Sequence, residues 1–206
     1  MALSGLFLVI FLAQHLTINL SSIIPDDGKT FNTISHFMGY NPIVQFVLQP
    51  ILIFGVFFHF MMGLFLEYQN SQARNEKYVY HKTKSTWISK NMIITGLVIL
   101  AFLGLHFYDF WFPEMDYKYI SGLAPDPQKY FHELQEKFHG ETIRTIIYCV
   151  SFILLGMHLN HGLSSSFQSI GISSSRQKTM RLVANIYSMV ISVGFIGVAL
   201  FHYFIP

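Results

Sequence analysis

The chain has 206 residues and a net charge of +2, with 52% hydrophobic and only 12% charged residues and a mean hydropathy of +0.43. A soluble domain carries roughly twice that charged fraction, which argues against a water-solvated globular fold, and a nearly neutral balance gives no reason to invoke nucleic acid. The single cysteine, Cys149, cannot form an internal disulfide, a four-cysteine zinc site or an iron–sulfur cluster; inside its apolar run it reads as a small buried hydrophobe.

Five apolar stretches, residues 3–24, 43–66, 91–112, 143–163 and 182–205, are long enough for helices that cross a bilayer, which takes about 20 residues. The first lacks a basic leading region and a small-residue cleavage site, so it reads as a mature helix rather than a signal peptide. The expected fold is therefore an all-α integral membrane protein of five transmembrane helices, a single domain over residues 1–206. The second loop carries Arg74, Lys77, Lys82, Lys84 and Lys90, and the fourth carries Arg176, Lys178 and Arg181. The first loop holds Asp26, Asp27 and Lys29. The third mixes Glu114, Asp116, Asp126, Glu133, Glu136 and Glu141 with Lys118, Lys129, Lys137 and Arg144. The excess of positive charge on alternate loops places loops two and four, and the N-terminus, in the cytoplasm. Trp87 near the inner boundary and Tyr108 and Trp111 near the outer one fit aromatic belts.

Four histidines lie inside these apolar stretches, where an ionisable side chain is costly and marks a functional site by default. They fall into two duplicated patterns. Ser4-Gly5-Leu6 precedes His15 and Thr95-Gly96-Leu97 precedes His106, with Gly and His ten residues apart in both. His59 precedes Gly63-Leu64 and His158 precedes Gly162-Leu163, with a spacing of four in both. At about 1.5 Å of rise per residue, His59 lies roughly 12 Å, and His158 about 8–15 Å, from the inner ends of their helices. His15 lies roughly 18 Å and His106 roughly 22 Å from theirs. The histidines thus sort into two levels, each drawing on two helices, as two bis-histidine b haems between helices of a bundle require. Two ligands per level are too few for zinc, and copper would more naturally use Cys or Met with His, whereas Cys149 matches no such spacing. Bis-histidine ligation leaves no open position and suits electron transfer. The glycines would make room for a planar macrocycle; close helix packing and histidines hydrogen-bonded without metal are the competing readings.

The stretch Phe11-Leu12-Ala13-Gln14-His15-Leu16, the segment from Phe58-His59 to Gly63-Leu64, His106 with Asp109, and His158-Leu159-Asn160-His161-Gly162-Leu163 occur here in order. Together they resemble the cytochrome b membrane-anchor subunit of succinate:quinone oxidoreductases and fumarate reductases, of the single-chain, five-helix, di-haem type. Ala73-Arg74 and Trp87-Ile88-Ser89-Lys90-Asn91-Met92 resemble the version of the Bacteroidetes-like branch. The resemblance covers all five helices and implies haems held among helices 1–4. It assigns His59 and His158 to the inner haem iron, and His15 and His106 to the outer one. It implies a flavoprotein and an iron–sulfur subunit docked on the cytoplasmic face, in a bacterial inner membrane. Electrons from succinate would reach menaquinone through this chain, which would carry no succinate-oxidising residue of its own. Relatives carry a short polar, basic leader, so Met1 is expected to be a late start. Lys90 stands where the family pattern leads us to expect Arg, with loss of the guanidinium fork.

Ser4, Ser89, Lys90 and His161 are the candidate partners of haem propionates. Asn19, His36, Asn41, Gln45, Gln49 and Asp109 are the candidates for a quinone site at the outer level, since quinone reduction needs proton donors. His81, His132 and His139 read as solvated loop residues and His202 as interfacial. A stand-alone di-haem transmembrane reductase, and a haem-free transporter or assembly protein, are the alternatives to a respiratory anchor. The direction of the reaction, proton coupling and dimerisation of the complex are left open. No Walker loop, dinucleotide fingerprint or nucleophile elbow occurs.

Overall fold

A computed structural model describes residues 1–73, 92–171 and 176–205. Helix α1, Ala2–Leu20, runs into a 3₁₀ turn at Ser21–Ile23, and α2 covers Lys29–Tyr40. A π-helical turn, Val44–Leu48, leads into α3, Gln49–Ala73. Helix α4, Met92–His106, is prolonged by a π turn at Phe107–Trp111, an α turn at Phe112–Met115 and a second π turn at Asp116–Ile120. Then follow α5, Lys129–Phe138, α6, Thr142–Ser169, and α7, Gln177–Phe204. Among the described residues there is no strand.

Five of these segments are long and apolar enough to cross a bilayer: Ala2–Ile23, Val44–Gln72, Met92–Ile120, Thr142–Ser169 and Gln177–Phe204. Their outward faces are hydrocarbon. Leu3, Ile10, Phe54, Ile143 and Met189 each stay at least 66% exposed, which water would penalise and lipid does not. The arrangement fits a multi-pass membrane protein.

Every span but the first extends beyond its expected range by several residues at one end, and the third shows why. Asp109 and Glu114 read as a helix end, yet the helix continues to Ile120 because both carboxylates are paired inside the protein. Tyr148 and Arg144 meet Asp109, while Lys118, Lys129 and Tyr130 meet Glu114. The charges that looked like a solvated loop are therefore partly internal; Lys129 is 7% exposed. Desolvation pushes the Lys129 ammonium down, but its pairs with Glu114 and Glu133 push it up further and hold it above its ordinary value.

Two helices, α2 and α5, lie in stretches expected to be loops. Both are too short and too polar to span, but each buries one apolar edge: Phe31 on α2, Leu134 and Phe138 on α5. They are tied together by the Phe131 amide, which donates to Asn32 Oδ1 at 3.0 Å. Just before α2, Gly28 has φ +72° and the Phe131 ring occupies the space a side chain would need, so only glycine fits. The core runs from these caps into the bundle through Leu16, Tyr148, Phe152, Ile191 and Phe195. Helices α6 and α7 pack most closely, with Gly156 against Ser192 and the Ser192 hydroxyl donating to Phe152 O at 2.7 Å. Cys149 is a half-buried free thiol.

Candidate functional site

The four histidines meet in two pairs, each across two spans. His59 on α3 and His158 on α6 have ring centres 6.5 Å apart and planes at 75°. His15 on α1 and His106 at the end of α4 have centres 5.8 Å apart and planes at 82°. A nitrogen bound to a metal at about 2.0 Å puts the imidazole centre about 3.2 Å from it, so two rings on opposite sides of one metal lie about 6.4 Å apart. The observed spacings bracket that value. Neither pair has a third ligand: among the described residues, no three His, Cys, Asp or Glu side chains come together as a metal site. Each pair would suit a metal held between two histidines better than zinc, which would recruit three or four ligands.

The two levels can be measured along single helices. Ser4 contacts His59 and lies eleven residues before His15 on α1, and Thr95 contacts His158 and lies eleven residues before His106 on α4. Both intervals correspond to about 16 Å of helical rise. The equal intervals reflect an internal repeat. Met1, Ser4, Gly5 and His15 have counterparts 91 positions later in Met92, Thr95, Gly96 and His106. His59 and Gly63 have theirs 99 positions later in His158 and Gly162. The contacts repeat as well as the residues. A Cβ on Gly5 would lie 3.5 Å from His59 Cε1, and one on Gly96 would lie 3.7 Å from His158 Cε1. A Cβ on Gly63 would lie 3.6 Å from the Met1 methyl, and one on Gly162 would lie 3.5 Å from the Met92 methyl. The first two spans and the next two are thus two copies of one helical hairpin. The His59–His158 pair joins the second helices of the copies, and the His15–His106 pair the first.

Gly5 and Gly96 each lie against the histidine of a neighbouring helix. Gly63 and Gly162 admit methionines.

Aromatic rings enclose the His15–His106 pair. Phe11 stacks on His15 at 5.4 Å, and Phe195 from α7 approaches it at 5.5 Å, so the fifth span adds to a site expected from helices 1–4. Phe102 and Phe110 flank His106 at 5.9 and 5.2 Å. Tyr148 stands with its ring centre 6.3 Å from that of His106, and its hydroxyl donates to Asp109 Oδ2 at 2.8 Å. Arg144 Nε lies 3.4 Å from the same oxygen. Asp109, expected at a helix end, is 1% exposed within the π turn that follows His106.

Most of the remaining quinone candidates have polar partners of their own. Asn19 Nδ2 donates to His15 O at 2.9 Å within its own helix. His36 Nε2 meets Asp126 O at 2.8 Å, and its ring packs on Tyr40 and Tyr130. Gln45 Nε2 donates to Gly39 O, and Asn41 Oδ1 accepts from the Ile43 amide at 2.9 Å. Gln49 opens α3 and is half-buried. Asp109 meets Tyr148, whose ring lies beside that of His106. Of the propionate candidates, Ser4 bonds a histidine ring and His161 sits half-buried one turn after His158. Ser89 and Lys90, with Arg74, His81 and Trp87, lie outside the described residues.

His202, expected at the interface, is fully buried, with Nε2 2.8 Å from Ser22 Oγ and its ring against Phe131. The physical reason is α5, which covers that end of α7 and was not expected as a helix. Thr95, Tyr148, Phe195 and Ser22 carried no functional signal in sequence except Thr95, whose place in the repeated Ser/Thr-Gly-Leu triplet could have marked it. The chain matches no family model, no curated protein and no solved structure.

Proposed function

We propose that this chain is a di-haem cytochrome b of the membrane-anchor kind found in succinate:quinone oxidoreductases and fumarate reductases. The observation that carries the reading is the pair of bis-histidine arrangements at metal-bridging separation, 6.5 and 5.8 Å, on two levels of one helical bundle. His59 and His158 would hold one haem iron, and His15 and His106 the other. Two b haems bound there would supply one-electron carriage between a cytoplasmic flavoprotein and iron–sulfur pair and menaquinone. The chain's own contribution is to fix four imidazoles from four spans and to surround one pair with phenyl rings that keep water out. The basic loops in the sequence support this reading, since they would offer a cationic face to cytoplasmic partners with the N-terminus on the same side.

The test is a redox-titrated visible spectrum of the detergent-purified chain with whatever copurifies. Two low-spin b haems per chain, titrating separately, with a flavoprotein and an iron–sulfur protein copurifying, are the expected result. Two haems without those partners would point to a stand-alone reductase. Folded protein without haem would refute the electron-transfer reading. His59→Ala or His158→Ala should remove one haem, and His15→Ala or His106→Ala the other.

A further inference from the structure

We propose that Ser4 and Thr95 are a matched pair of positioning residues that hold His59 and His158 in the single tautomer able to ligate through Nε2. The inference rests on the di-haem reading and deepens it. Each hydroxyl makes two contacts. Ser4 Oγ lies 2.9 Å from Met1 O and 3.1 Å from His59 Nδ1. Thr95 Oγ1 lies 2.9 Å from Met92 O and 3.2 Å from His158 Nδ1. A carbonyl oxygen can only accept, and a hydroxyl has one proton, so that proton goes to the carbonyl in both cases. The hydroxyl is left to accept, and the imidazole nitrogen facing it must donate. Nδ1 therefore carries the hydrogen in both rings, and Nε2 keeps its lone pair.

The local structure makes this arrangement rigid. A serine or threonine bonded back to the carbonyl of its own preceding turn has a fixed rotamer, so its remaining lone pairs point in one direction. The next residue in each case is a glycine, Gly5 or Gly96, against which Cε1 of the same ring rests. The ring edge carrying Nδ1 and Cε1 is thus seated on a hydroxyl-glycine step in both histidines. The step occurs twice, at equivalent places in the two hairpins, and serves the two members of one pair. The other pair lacks it: His106 Nδ1 is buried with no hydrogen-bond partner among the described residues.

A metal-bound imidazole that donates its second N–H becomes a stronger electron donor, which favours the oxidised metal. Ser4→Ala and Thr95→Val remove the acceptor with little change of volume. Each should raise the midpoint potential of the His59–His158 haem, by up to about tenfold in the oxidised-to-reduced ratio, which is 59 mV for a one-electron couple. The low-spin electron paramagnetic resonance signal of that haem should move as well. The His15–His106 haem should keep its potential and serves as the internal reference. Ser4→Thr and Thr95→Ser retain the oxygen and should retain wild-type values. Two haems in both Ser4→Ala and Thr95→Val, with both potentials unchanged, would overturn this inference and leave the di-haem reading intact. Absence of haem from the wild-type protein would overturn both. Where Ser4→Ala loses the haem altogether, its return in Ser4→Thr supports the positioning role; loss in both variants overturns it.

Discussion

Tyr148→Phe isolates the charge-bearing contact beside the His15–His106 pair. The substitution removes one oxygen and keeps the ring, which lies 5.0 Å from both Phe102 and Phe138 and 5.9 Å from Phe152. The apolar packing is therefore retained, and the cavity term is that of a single atom. What is lost is a 2.8 Å bond to Asp109, a carboxylate that is 1% exposed and whose charged neighbour Arg144 stands off at 3.4 Å. Hydrogen bonds to charged groups contribute about 1.5–3 kcal/mol, whereas interhelical bonds in membrane bundles average about 0.6 kcal/mol. The ion pair of Asp109 with Arg144 places this contact in the first class, and we expect a loss of about 2 kcal/mol. For a chain of this size that lowers the unfolding midpoint by about 4–8 °C. The assay is thermal unfolding in detergent by circular dichroism at one fixed scan rate. Tyr203→Phe is the control: it deletes an equivalent but exposed contact to Thr142 and should change the midpoint by less than about 2 °C. A Tyr148→Phe midpoint no lower than that of the control would refute the assignment of Asp109 as a buried charge held by this hydroxyl.

Three further outcomes are expected. Gly96→Ala should leave the haem content unchanged, since its Cβ would sit 3.7 Å from His158 Cε1, while Gly96→Leu should push the ring aside and lose one haem from the pyridine haemochrome assay. Ser22→Ala should lower the unfolding midpoint, because His202 Nε2 would lose its acceptor while Nδ1 has no partner among the described residues; an unsatisfied buried donor costs about 1–3 kcal/mol. The Thr30 hydroxyl, helped by backbone amides, holds the Asp26 carboxyl below its ordinary value. A depressed carboxylate contributes stability that is present above its unfolded value, about 3.9, and is lost as the pH falls through the folded one. Protection of the Thr30 amide from hydrogen exchange should accordingly fade on acidification below about pH 4, and Asp26→Asn should abolish that pH dependence.

The spans and the two histidine levels were legible in the chain itself. Apolar length is a local property of each segment, and the rise of a helix converts the interval from Gly5 to His15 into a height without knowledge of any neighbour. Burial and partnership across helices were not legible. Asp109 and Glu114 looked like the end of a helix because a carboxylate is normally solvated, and only the arrival of Tyr148, Arg144, Lys118 and Lys129 keeps them inside. Helices α2 and α5 have one apolar edge too narrow to stand out in sequence, and it acquires meaning only when Phe31, Leu134 and Phe138 meet the bundle. Ser4 illustrates the divide most closely. The sequence places it one turn inside the first helix, next to a glycine; the rotation of α1 against α3 decides that its hydroxyl meets a histidine ring. Periodicity along one helix fixes which residues share a face, and the packing of faces against one another, which depends on every side chain in the interface, decides what they touch.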